Sequence, residues 1–324
     1  MSWGELLLYN ESVRILVLAT LLGVIAASQS LFDYDRTLPF DFQSEPLSTR
    51  KDVRVSGASI QIIKAHRMDF VLVEPVERTG TARSPLVIYQ HGGGQSMSNY
   101  VAEAALLSKA GVVSMIIEAP FRREPKADPN SMPTGAALRD DSANVVIAIR
   151  RSLDWLETRP NVDRQRVAYV GHSYGGNAGA LLTALDKRFK TFVLMGLVAK
   201  YSQHIAGNQS DVWVRLRSAL KPEELAEVVE LLRQVDPDQF LPKSNGAPLL
   251  FQCARFDMDD VKADCEVAFN KAAGPKTLRW YDVEHPFADL DATLDRLRWI
   301  AAKLNVPAVH KVLAAEAGRT WKGD

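Results

Sequence analysis

The chain has 324 residues, 47% hydrophobic and 24% charged, and its 39 Lys plus Arg balance 39 Asp plus Glu to a formal net charge of zero. This is the composition of one large globular domain, or one domain with a small insertion, and it is long enough to bury an ample core. No charge excess steers it to nucleic acid or to an anionic membrane surface, and there is no Lys/Arg block, low-complexity tract or repeat.

In chain order, the first feature is Ile15 to Ala27, a run without charge followed by Ser28-Gln29-Ser30. A membrane span needs about 20 apolar residues, whereas a signal-peptide core needs about 7–15 with small residues after it. Residues 1–30 are therefore expected to be a signal peptide or an N-terminal hydrophobic helix. Ala26 and Ser28 fit a cleavage site, although Glu5 and Glu11 beside Arg14 weaken the usual positive leader. Export is favoured over a cytoplasmic location, with membrane contact only through this segment if it is not cleaved.

Residues 31–324 are expected to form an α/β domain. After an extended lead-in, "FDYDRTLPFDFQSEP", Ser59 to Ala65 and Phe70 to Glu74 read as paired edge strands. Short apolar runs then alternate with helical periodicity. Strands are expected at Leu86–Tyr89, Val112–Ile117, Val167–Val170, Phe192–Met195, Leu249–Cys253 and Thr277–Tyr281. Helices are expected at Tyr100–Lys109, Ser142–Glu157, Ala178–Leu185, Val261–Lys271 and Leu290–Leu304. Buried strands alternating with helices mean a mostly parallel sheet covered on both faces. Tyr201 to Gly246 breaks the alternation and contains a charged helical stretch, Lys221 to Gln234. It is too long for a plain connection and reads as a small helical cap, about 201–246, over the ligand edge of the sheet.

Ligands of an open parallel sheet bind beyond the carboxyl ends of its strands. Four such ends carry chemistry: His91-Gly92-Gly93-Gly94, Ser173, Asp257 and His285. Ser173 stands in Gly171-His172-Ser173-Tyr174-Gly175, a G-x-S-x-G turn between a strand and a helix. Its glycines remove side chains that would collide at so sharp a corner. Six histidines without HxxxH or HExxH spacing give no metal site, and no cofactor is expected. Cys253 and Cys265, without a CxxC, are expected to be free and buried.

The order Ser, Asp, His is that of the α/β-hydrolases. From about Leu31 onward the chain resembles the dienelactone-hydrolase-related branch of that superfamily, which contains carboxylesterases. "YQHGGGQS", "VDRQRVAYVGHSYGG", "LLFQCARFD" and "YDVEHPF" resemble its oxyanion, nucleophile, acid and histidine blocks. The resemblance implies an α/β-hydrolase fold with Ser173 as nucleophile, Asp257 as acid and His285 as base. The oxyanion donors are expected from Tyr174, Gly93 and Gly94. Two departures stand out: dienelactone hydrolases proper use a cysteine nucleophile, and Glu118 occupies a position where relatives often carry Asp.

The expected activity is that of a serine carboxylesterase acting on small to medium esters. A serine peptidase or acyltransferase on the same scaffold, or a non-catalytic binding protein, are the alternatives. His91 and His172 are expected to hold turns, and His66 and His204 to be ordinary surface or cap histidines. His310 lies beyond the closing helix. Arg122 and Arg123 read as a solvated or salt-bridged pair, and Asp163 with Arg166 as a turn-fixing pair. Asp259 and Asp260 fall where helix-capping residues belong, which leaves Asp257 to face His285.

Overall fold

The computed structural model describes residues 31–50, 52–63, 66–76, 83–93, 95–118 and 136–318. Two units separate, Met1–Asp35 and Arg36–Asp324. The expected leader at 1–30, Gly94, Arg122 and Arg123 lie outside the described residues.

Among the described residues nine strands form a single sheet in the order β1-β2-β3-β5-β4-β6-β7-β8-β9. The antiparallel end comprises β1 (Gln43–Thr49), β2 (Val53–Ile63) and β3 (His66–Pro75), and β3 pairs antiparallel with β5 (Val113–Ile117). From β5 onward the pairing is parallel, through β4 (Ser84–Gln90), β6 (Val162–His172), β7 (Thr191–Met195), β8 (Leu249–Ala254) and β9 (Lys276–Tyr281). Every residue of β4, β5, β7 and β8 is buried, as continuous apolar runs require when helices cover both faces.

The covering helices are α1 (Ser98–Lys109), α2 (Ala136–Thr158), α3 (Tyr174–Leu185), α8 (Asp259–Lys271), α9 (Leu290–Lys303) and α10 (Ala308–Ala317). On one face Arg296 of α9 and Glu103 of α1 form a buried ion pair at 2.6 Å, and Tyr89 of β4 donates to the same carboxylate at 3.2 Å. Pairing is what allows two charges to stand there at all, because an isolated one would be costly to desolvate. On α2, Arg151 is fully buried. It donates to the carbonyls of Arg36 and Leu38 and stacks over the Phe40 ring at 4.1 Å, pinning the lead-in.

Two elements go beyond the sequence reading and one expectation changes. The lead-in ends in a seven-residue strand, β1, every residue of which is exposed. The chain also continues past the closing helix into α10, which buries only Val309. The cysteines are not free: Cys253 at the end of β8 is disulfide-bonded to Cys265 in α8, with Cα atoms 6.1 Å apart. Helix α8 runs back along the strand it follows, which brings the two side chains together. No described helix is long and apolar enough to cross a membrane.

Between β7 and β8 lie α4 (Tyr201–Gly207), α5 (Asp211–Ser218), α6 (Pro222–Arg233), α7 (Pro237–Phe240) and a 3-10 turn, Leu241–Lys243. Helix α6 starts at Pro222, and the Glu224 carboxylate accepts the Lys221 N–H at 2.9 Å, as a capping residue should. Trp213, Leu216, Val228 and Leu232 turn inward, Asp211, Arg215, Glu223, Glu227, Glu230 and Arg233 stay in water, and half-buried Arg217 donates to the carbonyls of Ile205 and Asn208.

Candidate active site

The parallel strands β4, β6, β7 and β8 end on one edge, and so place their following loops side by side. Ser173 follows β6 with φ 53° and ψ −112°, a left-handed conformation that a non-glycine residue adopts only under constraint. The constraint is visible: Ser173 N–H donates to Met195 O at 2.8 Å and its carbonyl accepts from Asn177 N at 2.9 Å. Gly175 must lack a side chain, because a Cβ there would overlap the carbonyl of Gln90. The turn therefore lifts the Ser173 hydroxyl out of the sheet toward the loops of neighbouring strands.

His285, 112 residues further on, brings its Nε2 to 2.9 Å from Ser173 Oγ. Its Nδ1 lies 3.0 and 2.9 Å from the two oxygens of Asp257. The Asp257 carboxylate is almost fully buried, whereas the His285 ring is 29% exposed. A carboxylate on Nδ1 fixes the proton there and leaves the Nε2 lone pair facing the hydroxyl. Asp257 also accepts the Met258 N–H at 2.8 Å, which fixes the carboxylate in turn. Helix α8 begins at Asp259 with Met258 at the N-cap position, one to two residues earlier than the expected caps Asp259 and Asp260.

The glycine loop after β4 lies against the same hydroxyl. A Cβ on Gly92 would fall 3.1 Å from Ser173 Cβ and 2.8 Å from His172 Nδ1. His91 Nδ1 is 2.8 Å from Gly92 O, and its Nε2 is 2.8 Å from the Glu118 carboxylate. Glu118 thus braces the loop through His91. Tyr174 opens α3 and donates its hydroxyl to Asp141 O at 2.9 Å. Gly93 sits at the exposed tip of the loop.

His172 is buried between these elements. Its Nε2 lies 2.6 Å from His285 O and its Nδ1 2.8 Å from Gln95 Oε1. Burial, with the His285 ring adding a second charge nearby, pushes its pKa down to about 3, so the ring is neutral near pH 7. His204 donates from the cap to Asp264 at 2.7 Å and stacks on Trp213. His66 and His310 are exposed. Asp163 and Arg166 pair at 2.6 Å, but within the partly exposed first half of β6 and not in a turn as expected. No described group of His, Cys, Asp and Glu is arranged for a metal ion.

Sequence reasoning passed over the residues that fasten the insertion. Asn177 of α3 accepts the Val198 N–H at 2.8 Å and donates to the Tyr201 hydroxyl. Asp264 of α8 accepts the Ala199 N–H at 2.7 Å, and Asp236 accepts the N–H and hydroxyl of Ser202. Polar residues in helices carry no signal of long-range contact until the helices are placed. Tyr201 and Val235 of the insertion line a small cavity with Ser142, Tyr174, Asn177 and Leu181, beside the Ser173 turn.

The sheet order, the strained serine turn and the flanking helices define an α/β-hydrolase fold. Among solved structures, the chain is similar to an acetyl xylan esterase from Paenibacillus sp. R4, 20% identical, with 86% of this chain and 92% of that one covered at a TM-score of 0.70. Acetyl xylan esterase 1 from Thermoanaerobacterium sp. JW/SL YS485 is 16% identical, with 87% and 93% covered and a TM-score of 0.67. An S-formylglutathione hydrolase from Agrobacterium tumefaciens is 15% identical, with 82% and 100% covered and a TM-score of 0.58. No protein-family model and no curated protein sequence matches the chain.

Proposed function

We propose that the protein is a serine carboxylesterase that cleaves small to medium carboxylic esters through an acyl-enzyme on Ser173. The observation that carries this reading is the continuous relay from Asp257 through His285 to Ser173, with 2.9 Å at the hydroxyl step. Similarity to the fold of two acetyl xylan esterases and an S-formylglutathione hydrolase is consistent with it.

In this mechanism His285 Nε2 removes the Ser173 proton as Oγ attacks the acyl carbonyl, and Asp257 holds the tautomer and stabilises the imidazolium. The oxyanion forms beside Tyr174 at the start of α3, where backbone N–H groups and the helix dipole favour negative charge. Gly93 supplies the opposing donor, with Gly94, outside the described residues, as its neighbour. Removal of one such donor typically costs about 3–4 kcal/mol of transition-state stabilisation. His285 then returns its proton to the leaving alcohol, and water, deprotonated by the same ring, releases the acid.

The insertion limits the acyl side. Its charged outer face is a partly solvated cover and not a broad apolar lid, so short acyl chains are preferred. A panel of p-nitrophenyl esters of increasing acyl length tests this on the parent and on Ser173→Ala. The reading expects the highest kcat/KM on short chains and a loss of roughly 10⁴–10⁶-fold in the variant. Parental activity in Ser173→Ala, or higher kcat/KM on long-chain emulsions, would overturn the nucleophile or the substrate range respectively.

A further inference from the structure

His172 belongs to the serine turn, yet its ring reaches two other loops. Toward β9, its Nε2 is 2.6 Å from the backbone oxygen of His285, and the two rings lie 4.8 Å apart. Its ring also meets Phe287 edge-on at 5.5 Å. Toward β4, its Nδ1 is 2.8 Å from Gln95 Oε1, and that oxygen accepts the Gly92 N–H at 3.0 Å. The Gln95 amide nitrogen donates to Pro286 O at 3.4 Å, closing the ring of contacts.

We propose that His172 is a positioning residue that locks the His285 loop to the serine turn, while Gln95 ties the Gly92–Gly93 loop to the same His285 loop, so that base and oxyanion donors keep one geometry. The inference rests on the reading of His285 as general base. The Asp257 contact fixes the tilt of the imidazole but not the distance of its backbone from Ser173. His285 lies in a loop, its ring is partly exposed, and Phe287 two residues on has φ 54°. A neutral His172 ring has one N–H and faces two carbonyl oxygens; the proton goes to Nε2, at the shorter contact of 2.6 Å, so the Nδ1 approach to Gln95 Oε1 is packing and Gln95 acts through its own bonds to Gly92 and Pro286. The His172 pKa of about 3 keeps the ring neutral near pH 7.

The clamp predicts a specific kinetic signature. A base displaced by a fraction of an ångström performs both proton transfers badly. An alkoxide needs protonation to leave, whereas an activated phenolate does not. His172→Asn, whose amide is too short to reach the His285 carbonyl, should lower kcat/KM by about 10²-fold on an alkyl acetate and by about 10-fold on p-nitrophenyl acetate. His172→Gln, whose amide nitrogen can take the place of Nε2, should recover most of the alkyl-ester loss. Rates are normalised to sites titrated with a fluorophosphonate, and thermal midpoints check folding.

Equal losses on the two esters without rescue by Gln, or parental rates in His172→Asn, would overturn the clamp. Gln95→Ala supplies a second arm that does not alter the serine turn: its effect should be less than additive with His172→Asn, and strict additivity would contradict a shared clamp. His285→Ala separates the two readings. If it retains parental activity, the general-base reading falls; if it is inert while His172→Asn is unaffected, only the clamp falls.

Discussion

Asp257 presents both carboxylate oxygens to a single nitrogen of His285, at 3.0 and 2.9 Å, across 28 residues of sequence. That arrangement identifies which of three closely spaced aspartates can act on the ring. Asp257→Asn should preserve the circular-dichroism spectrum and lower kcat by about 10⁴-fold, because an amide stabilises the wrong tautomer. Asp259→Asn and Asp260→Asn, in the first turn of α8, should leave kcat within a few-fold. Comparable losses at either of these with Asp257→Asn unaffected would move the acid elsewhere.

Legibility followed physics. Ser173 and Asp257 could be read because each follows a buried strand, and buried strands announce themselves by apolar runs; His285 follows β9, of which only Tyr281 is buried, and was legible mainly from its "YDVEHPF" block. The strand β1, "QSEPLST", could not: every one of its residues is exposed where it pairs with β2, so no apolar pattern records it. The Cys253–Cys265 bond depends on a helix doubling back on its own strand, which a spacing of 12 residues does not reveal. The contacts of Gln95 stayed hidden because a polar residue in a glycine loop looks like solvent-facing chain.

The disulfide brackets the loop that carries Asp257. Closing so short a loop restricts the unfolded chain by about 2–3 kcal/mol. Denatured but unreduced protein should therefore show no thiol reactive to a maleimide. Cys253→Ser/Cys265→Ser should unfold at lower temperature and lose part of its kcat. Two reactive thiols in unreduced protein, or unchanged stability in the double variant, would contradict the pairing.

Gly92→Ala puts a methyl group 2.8 Å from His172 Nδ1 and 3.1 Å from Ser173 Cβ. Loop displacement should follow, with kcat reduced about 10²-fold and the thermal midpoint little altered. Gly175→Ala meets backbone instead of a movable side chain. Overpacking of this kind costs about 1–3 kcal/mol or more, so urea midpoints should drop in that variant and not in Gly92→Ala.

Burial raises the pKa of Asp236, the anchor of Ser202, from 3.8 to about 6; the Ser202 bonds and Arg233 pull it down and Asp238 pushes it up. Between these values the folded protein holds a proton that the unfolded chain has lost, so this group's stabilising contribution fades as pH rises from about 4 to 6. His172 acts in the opposite sense: lowered from 6.5 to about 3, it withdraws stability as pH falls through that interval. The difference in urea midpoint between parent and Asp236→Asn should thus decline from pH 4 to pH 6 and level off above. A difference independent of pH would show that Asp236 does not titrate there.

Every block that builds the site lies after Leu31. Removal of residues 1–30 should leave kcat/KM on a soluble ester unchanged; aggregation or loss of activity would mean that the apolar run is part of the working fold.

The most direct test of the central claim is covalent. Fluorophosphonates react with a serine hydroxyl only where a neighbouring base activates it and an adjacent site accepts the phosphoryl oxygen. Peptide mass spectrometry after labelling of the folded protein should find one adduct, on Ser173, lost in Ser173→Ala and strongly slowed in His285→Ala. An intact fold with no adduct, or equal labelling of Ser173→Ala at another residue, would contradict the assignment of Ser173 as an activated nucleophile.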